Sequence, residues 1–136
     1  MSEDDADVFF YGLFMDPDAL RAKGLQPRSP RKASISGMSL RIGARATLVK
    51  RDGGVAHGIV MALTAQELKA LYSEPSVTAY QPEPVLATCD DGTVVPAICY
   101  NLPDPEGGAP NTEYAAKLRI VAEKMGLPDS YIRGIE

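Results

Sequence analysis

The chain has 136 residues, 45% hydrophobic and 24% charged, which are the proportions of an ordinary folded domain and not of a disordered chain. That length suits one core and is short for two. The formal net charge is −4 and the basic residues are scattered, which excludes the basic face that a phosphate-tracking nucleic-acid protein needs.

Met1 to Ala6 is acidic and small and reads as a flexible tail. Acids stand where a signal peptide carries positive charge, and no run approaches the roughly 20 apolar residues of a membrane span. A cytoplasmic protein with no membrane or nucleic-acid partner is expected. Val8-Phe9-Phe10-Tyr11, bounded by Gly12, reads as a buried strand. Asp16-Pro17 then supplies a cap and a first-turn proline for a short helix, Pro17 to Ala22. From Lys32 to Leu63 the pattern is strand-like in three pieces, ASISGMSLRIG, RATLVK and VAHGIVMAL. Arg51-Asp52-Gly53-Gly54 reads as a hairpin turn between the last two, because Asp-Gly tolerates positive φ.

Thr64 and Glu67 form a capping box that opens a helix with Leu68, Leu71 and Tyr72 on one face, ended by Pro75. Two strands, Thr78 to Cys89 and Thr93 to Leu102, flank Asp90-Asp91-Gly92. Pro82 and Pro84 remove donors from one side, so the first of these strands starts at an edge or a barrel opening. A turn pairing Cys89 with Val94 sets Cys99 opposite Pro84, and the two cysteines are expected to stay reduced. After a loop from Leu102 to Asn111, Asn111 or Thr112 caps a helix with the stripe Tyr114, Leu118, Val121, Ala122 and Met125. Gly126 stops it, and Pro128 opens a last segment carrying Tyr131 and Ile132. With no repeat or linker, the expectation is a single α+β domain over residues 1–136: a small mixed β-barrel or strongly curled sheet with flanking helices.

Metal and nucleophile chemistry find little to work with. A zinc site would need Cys89, Cys99, His57 and a fourth ligand, with none of the usual ligand spacings, so neither metal nor cofactor is expected. His57, between Ala56 and Gly58 in a strand-like run, reads as structural. Carboxylates, backbone amides and tyrosines remain. The loop Tyr11-Gly12-Leu13-Phe14-Met15 follows a buried strand and leads into a helix start, a natural seat for a small anion; equally, its apolar side chains are core filling. Glu74 sits at a helix C-terminus, where the macrodipole favours its neutral form, although taken alone it reads as an exposed loop glutamate. Arg41, Arg45 and Lys50 read as a solvated strand face that could otherwise meet a second carboxylate.

The combination of VFFYGLFMD, GIVMALT, ELKALYSEPSVTAY and VVPAICYNL, in this order from Val8 to about Leu102, resembles the γ-glutamylcyclotransferase-like superfamily, which includes the AIG2-like proteins. The ending EKMGLPDSYIRGI resembles the tail of its bacterial members. The resemblance implies that Tyr11 to Met15 is the family's Tyr-Gly-Ser/Thr-x-Leu loop, whose amides hold a γ-glutamyl group. It implies that Glu74 is the catalytic general acid/base and that Tyr80 and Tyr100 line the pocket. The implied reaction is a metal-free intramolecular aminolysis that releases 5-oxoproline. Three positions depart from the family pattern: Leu13 replaces a loop hydroxyl, Leu71 an aspartate, and Pro75 a glycine. They keep open the alternative of a non-catalytic module that binds an amino-acid-like metabolite or peptide.

Overall fold

The computed structural model describes residues 6–43, 46–73, 79–102 and 111–135. Five strands close into a barrel: β1 (Ala6–Phe10), β2 (Arg28–Ile42), β3 (Ala46–Leu63), β4 (Gln81–Cys89) and β5 (Val94–Asn101), in the order β1-β3-β2-β4-β5. Helices α1 (Pro17–Arg21), α2 (Ala65–Leu71), α3 (Thr112–Lys124) and α4 (Asp129–Arg133) flank it. No described helix is long and apolar enough to cross a membrane.

The continuous apolar run of β1 is buried on both faces, with Val8, Phe9 and Phe10 at most 3% exposed. Leu118 and Ala122 of α3 belong to the same buried cluster. Ala6, read as the end of a tail, already pairs with Leu63 as the first residue of β1; residues 1–5 lie outside the described set.

The expected turn at Arg51-Asp52-Gly53-Gly54 is not a turn. The residues lie inside one long strand, β3, where Gly53 has φ 77 and the pairing jumps from Ser36–Val55 to Met38–Lys50. The Asp-Gly signal marks positive φ correctly, but the partner strand continues past it, so the chain bulges instead of reversing. The reversal falls between Ile42 and Ala46, which pair. In the β4–β5 hairpin, Thr88 and not Cys89 pairs with Val94, so Cys99 faces Glu83 and not Pro84. The one-residue shift arises because Cys89 closes the turn through its amide to Thr93 O at 2.8 Å.

The proline-bearing start of β4 is a barrel opening, as expected: β4 meets β2 only through Thr88–Ser34 and Cys89–Ala33. Behind that gap the wall is braced by polar groups. Leu102 N donates to Thr47 Oγ1 at 2.9 Å, Leu48 N donates to Asn101 Oδ1 at 3.2 Å, and the Asn101 amide donates to Glu83.

Both cysteines are buried and free. Burial, with the Glu83 charge nearby, pushes the Cys99 thiol up to about 12, so at pH 8 only about one part in 10⁴ is thiolate. A disulfide-exchange reagent such as DTNB should therefore titrate two thiols in denaturant and leave Cys99 unmodified over the same interval in the native protein.

The capping box forms as read: Thr64 N donates to Glu67 Oε1 at 2.8 Å and Glu67 N to Thr64 Oγ1 at 3.1 Å. Glu67 also accepts from Gln26 N at 2.8 Å and from Arg28 Nη2 at 3.1 Å, tying α2 to the segment that enters β2. Burial raises this carboxyl's pKa, but the two backbone amides and Arg28 outweigh it and the net shift is downward. A lowered native pKa stabilises the fold above the unfolded value near 4.3, and the contribution is lost as pH falls through the native value. Glu67→Ala should cost about 1–3 kcal/mol at pH 7, read by urea denaturation, and the difference from the parent should shrink below pH 4.

Candidate functional site

The strand-to-loop transition after β1 forms one wall of a cavity of about 230 Å³, lined by Phe9, Phe10, Tyr11, Gly12, Leu13, Phe14, Ala46, Tyr72, Tyr80, Tyr100 and Tyr114. That is below the roughly 300–1,000 Å³ usual for drug-sized ligands, and fits a small metabolite or one end of a longer one. No described lining residue carries a formal charge.

The loop is a single 3-10 turn, Leu13–Met15, closed by Met15 N to Gly12 O at 3.0 Å. Among the described residues the Leu13 and Phe14 amides have no backbone partner. Asp16 then caps α1, accepting from Asp18 N at 3.0 Å, with Pro17 in the first turn.

Of the residues expected at the site, Tyr11, Gly12, Leu13, Phe14, Tyr80 and Tyr100 line this cavity. Met15 does not: its side chain is fully buried in the core and its amide is bonded within the turn, so the loop's share of the cavity wall ends at Phe14. Glu74 and Pro75 lie outside the described residues, as do Arg45 and the rest of 74–78. The chain leaves the described set at Ser73, next to cavity-lining Tyr72, and returns one residue before cavity-lining Tyr80. Leu71, where the resemblance expects an aspartate, is 2% exposed and packs in the core, so a carboxylate there would be buried. Arg41 and Lys50 are exposed. His57 stands away from the cavity, edge-on to Tyr131 with centroids 4.8 Å apart, and burial lowers its pKa.

Two lining residues were legible only as helix-face residues. Tyr72, past the end of α2, stacks on Tyr100 with ring centroids 3.8 Å apart and 12° between planes. Tyr114, in the first turn of α3, brings its hydroxyl against the loop: a Cβ at Gly12 would lie 2.7 Å from it. The available signal was a tyrosine on an otherwise aliphatic stripe, since a phenol in a core-facing position needs a polar partner or a wet cavity.

The tyrosine hydroxyls are partly committed. Tyr11 Oη donates to Tyr100 O at 2.8 Å, and Tyr80 Oη donates to Ala46 O. Burial pushes the hydroxyls of Tyr11, Tyr72, Tyr100 and Tyr114 upward; Thr47 opposes this at Tyr11, and the Leu13 amide opposes it at Tyr114. These groups therefore stay neutral near pH 7 and act as hydrogen-bonding groups, not as bases. The cavity offers backbone amides, phenols and an aromatic lining, which can seat a polar group and exclude water but cannot by themselves take up a proton.

The family model described as "Gamma-glutamyl cyclotransferase, AIG2-like" matches residues 8–118. No curated protein sequence matches the chain. Among solved structures, an uncharacterized protein from Homo sapiens superposes with a TM-score of 0.84 at 19% identity, covering 98% of this chain and 89% of that one. A structure titled "Gamma-glutamyl cyclotransferase" gives 0.80 at 19% identity, covering 97% and 88%. YkqA from Bacillus subtilis gives 0.79 at 22% identity, covering 97% of this chain and 53% of that one. At these identities the likeness is one of fold.

Proposed function

The chain belongs to the AIG2-like gamma-glutamyl cyclotransferase family, and on that footing we propose that it cyclises a γ-glutamyl amide or amine by intramolecular aminolysis. The α-nitrogen, as free amine, attacks the γ-carbonyl carbon. The ring C–N bond forms, the bond to the departing nitrogen breaks, and 5-oxoproline and an amine are released. Glu74 accepts the proton the α-nitrogen sheds and delivers it to the departing nitrogen, one carboxylate serving as base and then acid.

One observation carries this reading. The Gly12–Phe14 loop and both flanks of the Glu74 segment, Tyr72 and Tyr80, line the same small cavity. A γ-glutamyl group seated on the loop and stacked among the tyrosines would be held curled, with nitrogen and carbonyl carbon in near-attack contact. The loop amides would meet the developing oxyanion. No described lining residue can act as a base at neutral pH, and Glu74, in the segment that adjoins the cavity in sequence, would supply one. A non-catalytic metabolite-binding module is the second reading, favoured by Leu13 at the loop and by the lack of charge among the described lining residues.

The test is 5-oxoproline release from γ-glutamyl amino acids, γ-glutamylamines and glutathione, measured beside a titration with 5-oxoproline. Release from any of them supports the enzyme. Binding without release supports the module, and neither removes both.

A further inference from the structure

We propose a second binding site in the gap between β2 and β4, where Glu83 holds the ammonium and Lys50 the carboxylate of a free α-amino acid. The gap opens into a cleft of about 320 Å³. No described residue lines both this cleft and the tyrosine-lined cavity, so its occupant need not be a γ-glutamyl compound. Glu83 stands on the β4 rim, and Lys50 on β3 stands across the cleft beside its pairing partner Met38. Neither forms an ion pair with another described residue. Glu83 is nevertheless held in place. Asn101, 7% exposed, accepts from Leu48 N at 3.2 Å and donates through its amide nitrogen to one Glu83 oxygen. The other Glu83 oxygen has no partner among the described residues.

The backbone of the β4 rim fixes which end of a ligand it takes. Asp90 N donates to Lys32 O at 3.2 Å, so the even-numbered residues here turn their backbone groups toward β2. The β4–β5 register is unbroken from Gln81 to Thr88, which carries that alternation back to Pro82, Pro84 and Leu86. Pairing with β2 ends at Ser34–Thr88. These three residues therefore present carbonyls to the gap, and the two prolines have no N–H to present. The rim is rich in acceptors and poor in donors. An extended peptide added there would leave its own carbonyls unpaired, so the prolines turn strand addition away. An ammonium, with three donors and no acceptor, suits Glu83 and the Pro82 carbonyl. On the far rim Lys50 supplies a cation for a carboxylate, and buried Met38, Leu48 and Leu102 give an apolar floor for a side chain. A simple amine would face the Lys50 charge, and a simple acid would face Glu83. A zwitterion matches both rims, and an α-amino acid carries both charges and an apolar group on one carbon.

The probe is L-leucine, titrated into the full chain and followed by methyl NMR at Met38, Leu48 and Leu102. Isoamylamine and 4-methylpentanoate, which keep the side chain and each drop one charge, are titrated beside it. Leucine should shift these methyls saturably, and each analogue should bind at least about 3-fold more weakly. Glu83→Gln keeps the shape and the bond from Asn101, and should raise the leucine dissociation constant roughly 10-fold. Lys50→Met keeps the apolar stem and should raise it about 3-fold. Both variants should melt within about 2 °C of the parent. Leucine that shifts none of the three methyls, or only Leu13 in the other cavity, overturns the site. Parent-like affinity in Glu83→Gln and Lys50→Met does the same. Isoamylamine binding as tightly as leucine takes Lys50 out of the site, and the amino-acid assignment falls. If Glu83→Gln loses several degrees of melting temperature, Lys50→Met, changed at an exposed side chain, decides alone. Each of these failures leaves the cyclotransferase reading standing.

Discussion

Glu74→Gln should lower turnover of any accepted γ-glutamyl substrate about 10²–10⁴-fold, equivalent to about 2.7–5.4 kcal/mol in the barrier. Glutamine keeps the shape and most of the hydrogen bonds of the carboxylate but cannot take a proton. Among the described lining residues there is no carboxylate or histidine to take its place, and burial pushes Tyr11, Tyr72, Tyr100 and Tyr114 toward staying protonated. On the proposed reading, affinity for 5-oxoproline should change far less, because there the Gly12–Phe14 loop and the surrounding phenols hold the ligand. Stability should hold or rise slightly, since a carboxylate beyond a helix C-terminus opposes the macrodipole. Kinetics and ligand titration on the same variant check this. Unchanged turnover would take Glu74 out of the mechanism.

Gly58→Ala should be among the most damaging single substitutions for stability. Gly58 lies on β3 beside Ile59, the partner of Phe10, where the two backbones approach unusually closely. An added Cβ would lie 2.2 Å from Phe10 O, 3.0 Å from Phe10 C and 2.9 Å from Phe9 Cζ. The nearest atom is backbone, so the methyl can be accommodated only by displacing β1, and β1 is packed on both faces. A loss of about 3 kcal/mol or more is expected, or a fall of about 10 °C in melting temperature for a chain of this size. Because β1 leads directly into Tyr11 and Gly12, ligand affinity should fall as well. Gly134→Ala is the control: its nearest contact would be 3.5 Å, an ordinary van der Waals distance, and thermal denaturation should place it within about 1 °C of the parent.

Local signals in the sequence identify elements whose cause is local. The capping box at Thr64 and Glu67, the Asn111 cap, the Asp16-Pro17 start and the opening at Pro82 and Pro84 are each set by one residue's hydrogen bonding or missing donor. The barrel with flanking helices was legible through glycine-marked strands and family resemblance together, and so were six of the lining residues. What escaped is what depends on a distant partner. Arg51 to Gly54 carries a turn's chemistry, yet it becomes a bulge because β2 runs on beside it. The register that sets Cys99 against Glu83 is decided by one hydrogen bond in the β4–β5 turn. Tyr72 and Tyr114 sit at core-facing helical spacings, and periodicity alone does not distinguish a core face from a cavity wall.

The cavity also straddles the seam where the barrel's first and last strands meet. β1 joins β5 through a single parallel bridge, Val8–Ile98, and the Tyr11-to-Tyr100 bond spans 89 residues of sequence, whereas β2 and β3 pair along most of their length as neighbours. Closing so long a loop carries its entropic cost before the contacts form, so the site assembles late in folding, and the seam opens at lower free energy than the hairpin. A ligand that needs both sides of the seam binds only the closed form and draws the population toward it by mass action. In hydrogen exchange, saturating 5-oxoproline should therefore slow the amides of β1 and β5 by more than those of β2 and β3.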